Sequence, residues 1–193
     1  MQQYGAVDAP FVAKLVELLS PERVLWRHGD AEAQRRCEQE YSIDRSMHAH
    51  RTPDAVVLPE TTEEVQRVVS LCARHRVIVV PRGAGTGLEG GAVAYMGGVV
   101  VDVMRLKAFE PHPDDFYVVC GPGWLKNDLN ARLKEYGLFF GPDPSSNPSV
   151  GGMASTGGSG LSTLKYGTTK ENLVSLKAPS LALTILGPQL VTA

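Results

Sequence analysis

Cysteine is scarce in this chain: 193 residues carry only Cys37, Cys72 and Cys120, widely spaced and never as a C-x-x-C pair. An odd count at such spacing signals neither a disulfide framework nor a cysteine-built zinc site, and a reducing compartment, cytoplasm or mitochondrial matrix, is the expectation. Long apolar runs are also missing. The longest late one covers residues 181–186, between Pro179 and Pro188, whereas a membrane-crossing helix needs about 18 residues or more. The chain therefore reads as soluble, with no membrane span. Neither sign of charge dominates, since 19 Lys and Arg are dispersed among 21 Asp and Glu for a net charge of −2. A nucleic-acid partner, which calls for a clustered basic face, is not expected. The opening MQQYGAVDAPF has no basic region followed by an apolar stretch and no Arg-rich amphipathic pattern, so no targeting segment is read there. With 43% hydrophobic and 21% charged residues, the chain resembles an ordinary folded domain rather than a disordered one.

What is present is a succession of helix and strand signals. Asp8 caps a first helix with Pro10 in its first turn and Phe11, Leu15, Leu18 and Leu19 at helical spacing, until Ser20 and Pro21 end it. Residues 30–40 read as a polar helix, and residues 56–58 as a short buried strand. Thr61 and Glu64 stand in capping-box register ahead of the stripe Val65, Val68, Val69 and Cys72. Residues 77–80 form a β-branched run, so residues 56–80 predict a parallel βαβ unit. Further strands are expected at 99–103 and 116–120, then a helix over 124–136 with Leu125, Leu129, Leu133 and Tyr136 on one face and Gly137 past its end. An α/β subdomain layout follows.

Two glycine-rich segments carry the chemistry. The first, PRGAGTGLEGGA at 81–92, has Gly83, Gly85, Gly87, Gly90 and Gly91, which allow positive φ and close backbone approach. Successive free N–H groups in such a loop form an anion nest suited to a diphosphate, with Thr86 as a hydroxyl donor and Arg82 as a charge. Gly85, Gly87 and Gly90 match G-x-G-x-x-G, yet the segment leads into another strand rather than a helix, which excludes a Rossmann site; no Gly-Lys-Ser/Thr follows, which excludes a Walker A site. The second segment, 143–160, crowds Gly151, Gly152, Gly157, Gly158 and Gly160 with Ser155, Thr156 and Ser159. Val150, Met153, Leu161, Leu164 and Tyr166 argue against a flexible linker and for an ordered loop. Two such segments can close on one extended ligand.

Taken in order, VVLPETTEEV, PRGAGTGLEGGA, GGVVVDVMRL, GLFFGPDPSSNPSVGGMASTGGSG and KYGTTKENL resemble the vanillyl-alcohol-oxidase-type, or PCMH-type, FAD-binding domain. Within that family they are most similar to the glycolate oxidase D subunit and D-lactate dehydrogenase branch. The resemblance covers about residues 56–177. It implies an α+β fold of two α/β subdomains, the second incomplete, with residues 1–50 an N-terminal helical extension, 51–177 the FAD-binding domain and 178–193 a divergent tail. The implied activity is oxidation of a D-2-hydroxy acid to a 2-oxo acid, with FAD as hydride acceptor and an external electron acceptor to reoxidise it. Carried over by position, Pro81, Arg82, Gly83, Ala84, Gly85, Thr86, Gly87, Leu88 and Gly91 would hold the pyrophosphate. Pro144, Ser145, Gly151, Gly152, Ala154, Thr156, Gly157, Gly158 and Gly160 would line the flavin, with Tyr166 and Gly167 shaping the end of that segment. Covalent members place a His in the first loop; this chain has none there, so non-covalent FAD is implied.

After Lys177 the chain departs from the family pattern, reading APSLALTILGPQLVTA. The resemblance to the family's later strand, its substrate domain and its metal-holding His and acidic residues is missing, so no catalytic and no metal residue is assigned. The tail reads as a shortened end, and a non-catalytic fragment that binds FAD weakly or not at all is the alternative reading. A sugar-nucleotide reductase on the same flavin fold is a third, less similar in its loops. The H-x-H pair His48 and His50 reads as a solvated loop, Asp114 and Asp115 as a turn, and Trp26 and Trp124 as packing residues.

Overall fold

The computed structural model describes residues 4–179 together with 185 and 186. At its centre is a four-stranded sheet in the order β1 (Val24–Trp26), β2 (Ala55–Val57), β4 (Val99–Asp102), β3 (Val79–Arg82). Strands β2 and β3 both run parallel to β4, which enters between them, while β1 is antiparallel to β2. The expected βαβ unit is therefore correct in direction, but its two strands are separated by a third.

The sheet is apolar on both faces because helices cover both. Ala55, Val57, Val99 and Val101 point to one side, into a core shared with α1 (Ala9–Leu18) and α3 (Thr62–Arg74). Val56 and Val100 point to the other, toward Leu25, Cys37 and Tyr41 from and around α2 (Ala31–Gln39). Period-2 alternation with burial on both sides gives the continuous Val-rich text of a covered sheet. Asp8 caps α1 by accepting the N–H of Phe11 and Thr61 caps α3, as the sequence indicates, and Asp30 caps α2.

Differences from the sequence reading have identifiable causes. The run at 77–80 begins as a strand only at Val79, because Val77 still donates its N–H to Cys72 O at the end of α3. The strand then continues through Pro81, which an edge position tolerates. The N-terminal extension is not only helical, since it supplies β1. A hairpin of β5 (Phe109–His112) and β6 (Tyr117–Cys120) replaces the single strand expected, turning through Pro113–Asp115 and a left-handed Phe116 at φ 58°. Strand β5 escaped notice because FEPH lacks an apolar alternation. This hairpin packs on α4 (Lys126–Leu133) around Leu129, Leu133 and Val150, forming a second, smaller α/β unit. The segment at 143–160 is ordered but is more than a loop: Ser149 caps a helix, α5 (Val150–Thr156), ending at Gly157 with φ 64°. The chain continues through a one-turn helix, α6 (Thr163–Tyr166), and through β7 (Ala178–Pro179), paired with β8 (Ile185–Leu186); most of the divergent tail lies outside the described residues.

A largely buried ion pair joins the turn just ahead of β1 to α3. Arg23 lies 2.8 Å from Glu64, whose carboxylate also accepts the N–H of Glu60. Burial raises the Glu64 pKa, but the Glu60 N–H and the Arg23 guanidinium outweigh it and hold the carboxyl below its ordinary value. The native state thus binds this proton less tightly than the unfolded chain, so the stabilisation is present above the ordinary glutamate range and is lost as pH falls through the native pKa. Glu64→Gln is expected to lower stability at pH 7 by about 1–3 kcal/mol and to flatten its loss on acidification. Denaturant unfolding at neutral pH and at stepped lower pH measures both.

Candidate functional site

Residues 83–98 connect β3 to its parallel neighbour β4 without a helix, so the chain leaves the carboxyl end of β3 and must return to the amino end of β4. The sixteen-residue connection has positive φ at Gly85 (65°), Gly90 (75°), Gly97 (71°) and Gly98 (95°). From Gly83 to Gly91, only the N–H of Ala84 meets an acceptor within the described residues. These free backbone donors beyond the carboxyl end of β3 are what the expected anion nest would use.

Not every glycine here has the same reason to exist. A Cβ at Gly83 would lie 2.0 Å from Ser149 Oγ, and one at Gly85 would lie 2.5 Å from Arg82 Nη2. Gly87 and Gly91 differ, since an added Cβ meets nothing within 4 Å and neither has a positive φ. The fold itself makes no demand for glycine at these two positions, where the backbone stays open to close approach. The open, donor-rich cradle therefore fits a diphosphate.

The two glycine-rich segments meet at Ser149. Its hydroxyl accepts the N–H of Ala84 at 3.4 Å and that of Gly152 at 3.3 Å, so one oxygen joins the first loop to the start of α5. Sequence reasoning missed this serine, although Ser ahead of an apolar residue is an N-cap signal. Gly151 sits against Pro122, where a Cβ would be 2.4 Å from the proline Cβ, and its N–H donates to Pro122 O. The second segment is thereby wedged between the first loop and the hairpin unit. Beyond α5, the Thr169 N–H and hydroxyl both donate to Gly158 O, and Gly160 is pressed against the backbone of Asp143. Asp143 accepts two hydrogen bonds from Ser162, and these hold its carboxyl below the usual aspartate range. Half-buried Pro144 and exposed Ser145 follow it, with Lys126 Nζ donating to Pro144 O.

Other sequence-selected residues have more local roles. Ser155 and Thr156 donate their hydroxyls to the carbonyls of Gly151 and Gly152, so these protons are engaged within α5. Ala154 lies on the same helix. Tyr166 packs on Gly141 and edge-on against Phe139, and Gly167 ends α6 at φ 79°. Leu88 is exposed at the loop surface, as are Leu161 and Leu164 beside the second segment. The Arg82 guanidinium turns inward, donating to Glu40 O and Ala92 O. Burial lowers its pKa against the opposing pull of Asp102, Tyr41 and Asp44. His48 and His50 are exposed, and the His48 ring stands near Gly90, edge-on to Tyr95. Cys37 and Cys72 are buried, and burial pushes their thiols up to about 11 and about 12, which leaves them unreactive.

The FAD binding domain family matches residues 53–179, a span that contains both glycine-rich segments and the serine joining them. The chain belongs to this family. It is 39% identical over 140 residues to a probable mitochondrial D-lactate dehydrogenase of Danio rerio, covering 72% of this chain and 28% of that protein. It is 35% identical over 140 residues to the glycolate oxidase subunit GlcD of Bacillus subtilis strain 168, covering 71% and 30%. Among solved structures, an alkyldihydroxyacetonephosphate synthase superposes with a TM-score of 0.81 at 21% identity, covering 97% of this chain and 35% of the other, which shows the fold. The resemblance to the D-lactate dehydrogenase and glycolate oxidase branch of PCMH-type domains holds, as does the α+β fold expected of it. The chain spans about three-tenths of the length of these two curated relatives.

Packing requires the glycine at 83. Gly83→Ala is expected to cost about 1–3 kcal/mol by forcing Ser149 and the first loop apart, and thermal unfolding followed by circular dichroism measures it.

Proposed function

We propose that this chain is the FAD-holding part of a flavin-dependent oxidoreductase that converts a D-2-hydroxy acid of the D-lactate or glycolate type into its 2-oxo acid. The observation that carries the reading is the pair of joined glycine-rich segments within a matched FAD binding domain. The names of the relatives in Danio rerio and Bacillus subtilis supply the substrate class. In this reading residues 51–177 are the cofactor domain. Pro81 to Leu88 and Gly91 hold the diphosphate, with the free backbone N–H groups of the loop donating to it, and Pro144, Ser145, Gly151, Gly152, Ala154 and Thr156 to Gly158 line the flavin with Gly160, Tyr166 and Gly167. When bound, FAD supplies the acceptor for the hydrogen and electron pair that leave the substrate's α-carbon. This chain's residues bind and orient it, and an external acceptor takes the electrons onward. The base that receives the hydroxyl proton is not assigned to any residue of this chain. Because residues 82–91 contain no histidine, the flavin is held non-covalently.

A second reading is favoured by Leu161 and Leu164, which stand almost fully exposed beside the flavin-side segment. An apolar wall without cover suits a chain that holds FAD weakly by itself and turns nothing over.

Purified chain incubated with FAD and passed over a desalting column is expected to stay yellow and to release all its flavin to the supernatant on acid precipitation. Adding D-lactate to the yellow protein should leave the visible spectrum unchanged. Gly87→Ala should weaken FAD binding about tenfold, ~1.4 kcal/mol, without lowering the unfolding temperature. A colourless protein that ignores added FAD contradicts the first reading, and bleaching by D-lactate contradicts the absence of catalytic residues.

A further inference from the structure

Residues 40–45 lie ahead of the matched family region, yet they are built into the back of the diphosphate loop. Glu40 O accepts a hydrogen bond of 2.9 Å from Arg82 Nη2, and the Arg45 N–H donates to Gly87 O at 3.1 Å. Between them, the buried Tyr41 places its ring 5.4 Å from the Arg82 guanidinium carbon and donates its hydroxyl to Asp102 Oδ2 at 2.7 Å. Asp102 closes β4 and is itself buried, its other oxygen accepting the Met104 N–H. The Arg82 guanidinium, at the end of β3, reaches across to Ala92 O at 3.2 Å, and Gly85 lies directly over it. Asp44, also buried, adds a nearby negative charge.

On the reading that residues 81–91 hold the diphosphate, we propose that the segment 40–45 belongs to the cofactor apparatus, with Tyr41, anchored by Asp102, positioning Arg82 as a strut beneath the loop. The strut joins the outgoing leg of the loop, at Arg82, to its returning leg, at Ala92, and to the preceding segment at Glu40. It fixes the separation of the two legs and so the curvature along which the free N–H groups line up. The guanidinium also puts a half-buried positive charge under Gly85, with donors turned to Glu40 O and Ala92 O. The fork is essential to this role, because two carbonyls on opposite sides must be reached at once; a lysine ammonium keeps the charge but is a single point. Arg82 and Tyr41 are positioning residues here.

The contrast between charge and fork gives the test. In the full chain, Arg82→Lys and Tyr41→Phe are compared with the wild type by FAD titration, by 15N relaxation of residues 83–91 without ligand, and by thermal unfolding. The strut predicts that Arg82→Lys, despite its retained charge, weakens FAD binding at least about tenfold and raises the ligand-free mobility of residues 83–91 while α3 and the β5–β6 hairpin keep theirs. Tyr41→Phe keeps the ring over Arg82 and loses only the bond to Asp102, so it should show a smaller change in the same direction. Arg82→Lys with wild-type affinity and unchanged loop relaxation overturns the proposal, and so does mobility that rises equally throughout the chain. If Tyr41→Phe fails to fold, Arg82→Lys decides. Should the wild-type chain not bind FAD, the functional reading fails, and ligand-free relaxation of the loop still decides the strut.

Discussion

A single hydroxyl group, that of Ser149, holds the two halves of the cradle in one geometry. It accepts from Ala84 in the first loop and from Gly152 in the first turn of α5, and it occupies the space that a side chain at residue 83 would need. The first loop is fixed to the four-stranded sheet through β3 and β4, whereas α5 is fixed to the hairpin unit through Gly151 and Pro122. The serine is thus where the larger and the smaller α/β units come together at the carboxyl edge of the sheet. A dinucleotide held by both segments, as proposed, would meet two parts already joined, which lowers the ordering cost of binding.

Two kinds of glycine serve this arrangement, and separating them sharpens the functional argument. Gly83, Gly85 and Gly151 are small because protein atoms crowd them, and Gly85 also needs its left-handed backbone. Gly87 and Gly91 have open space around them and ordinary φ. Glycine-rich text alone cannot tell crowded positions from open ones, and here the geometry does. The G-x-G-x-x-G spacing of Gly85, Gly87 and Gly90 mixes the two kinds and leads into a strand, so it has no helix N-terminus to offer.

Much of the fold was legible because local rules and tertiary packing agree. Asp8, Asp30 and Thr61 cap the helices they precede, and the Val-rich strands β2 and β4 are apolar on both faces as a doubly covered sheet requires. What escaped was set by strand pairing and tertiary packing rather than by local propensity. β5 is a strand because β6 pairs with it, not because FEPH favours one. α5 contains two adjacent glycines that disfavour a helix, but Ser149 caps it and Pro122 demands the small residue at 151. Arg82 showed the same limit at the site. Its charge beside a glycine-rich loop suggested direct contact with phosphate, whereas Glu40 O and Ala92 O, 42 and 10 residues away, turn the guanidinium inward. Ser149 and Tyr41 owe their roles to equally remote partners.

The central claim is that residues 81–91 and 144–167 form one site for one FAD. Titrating the isotope-labelled chain with FAD while recording amide 1H–15N spectra tests it most directly. The account predicts that signals of Gly87 and Gly91 in the first segment and of residues 151–158 in the second shift together, saturating at one equivalent with a single dissociation constant. Shifts confined to one segment, or different dissociation constants for the two, would contradict it.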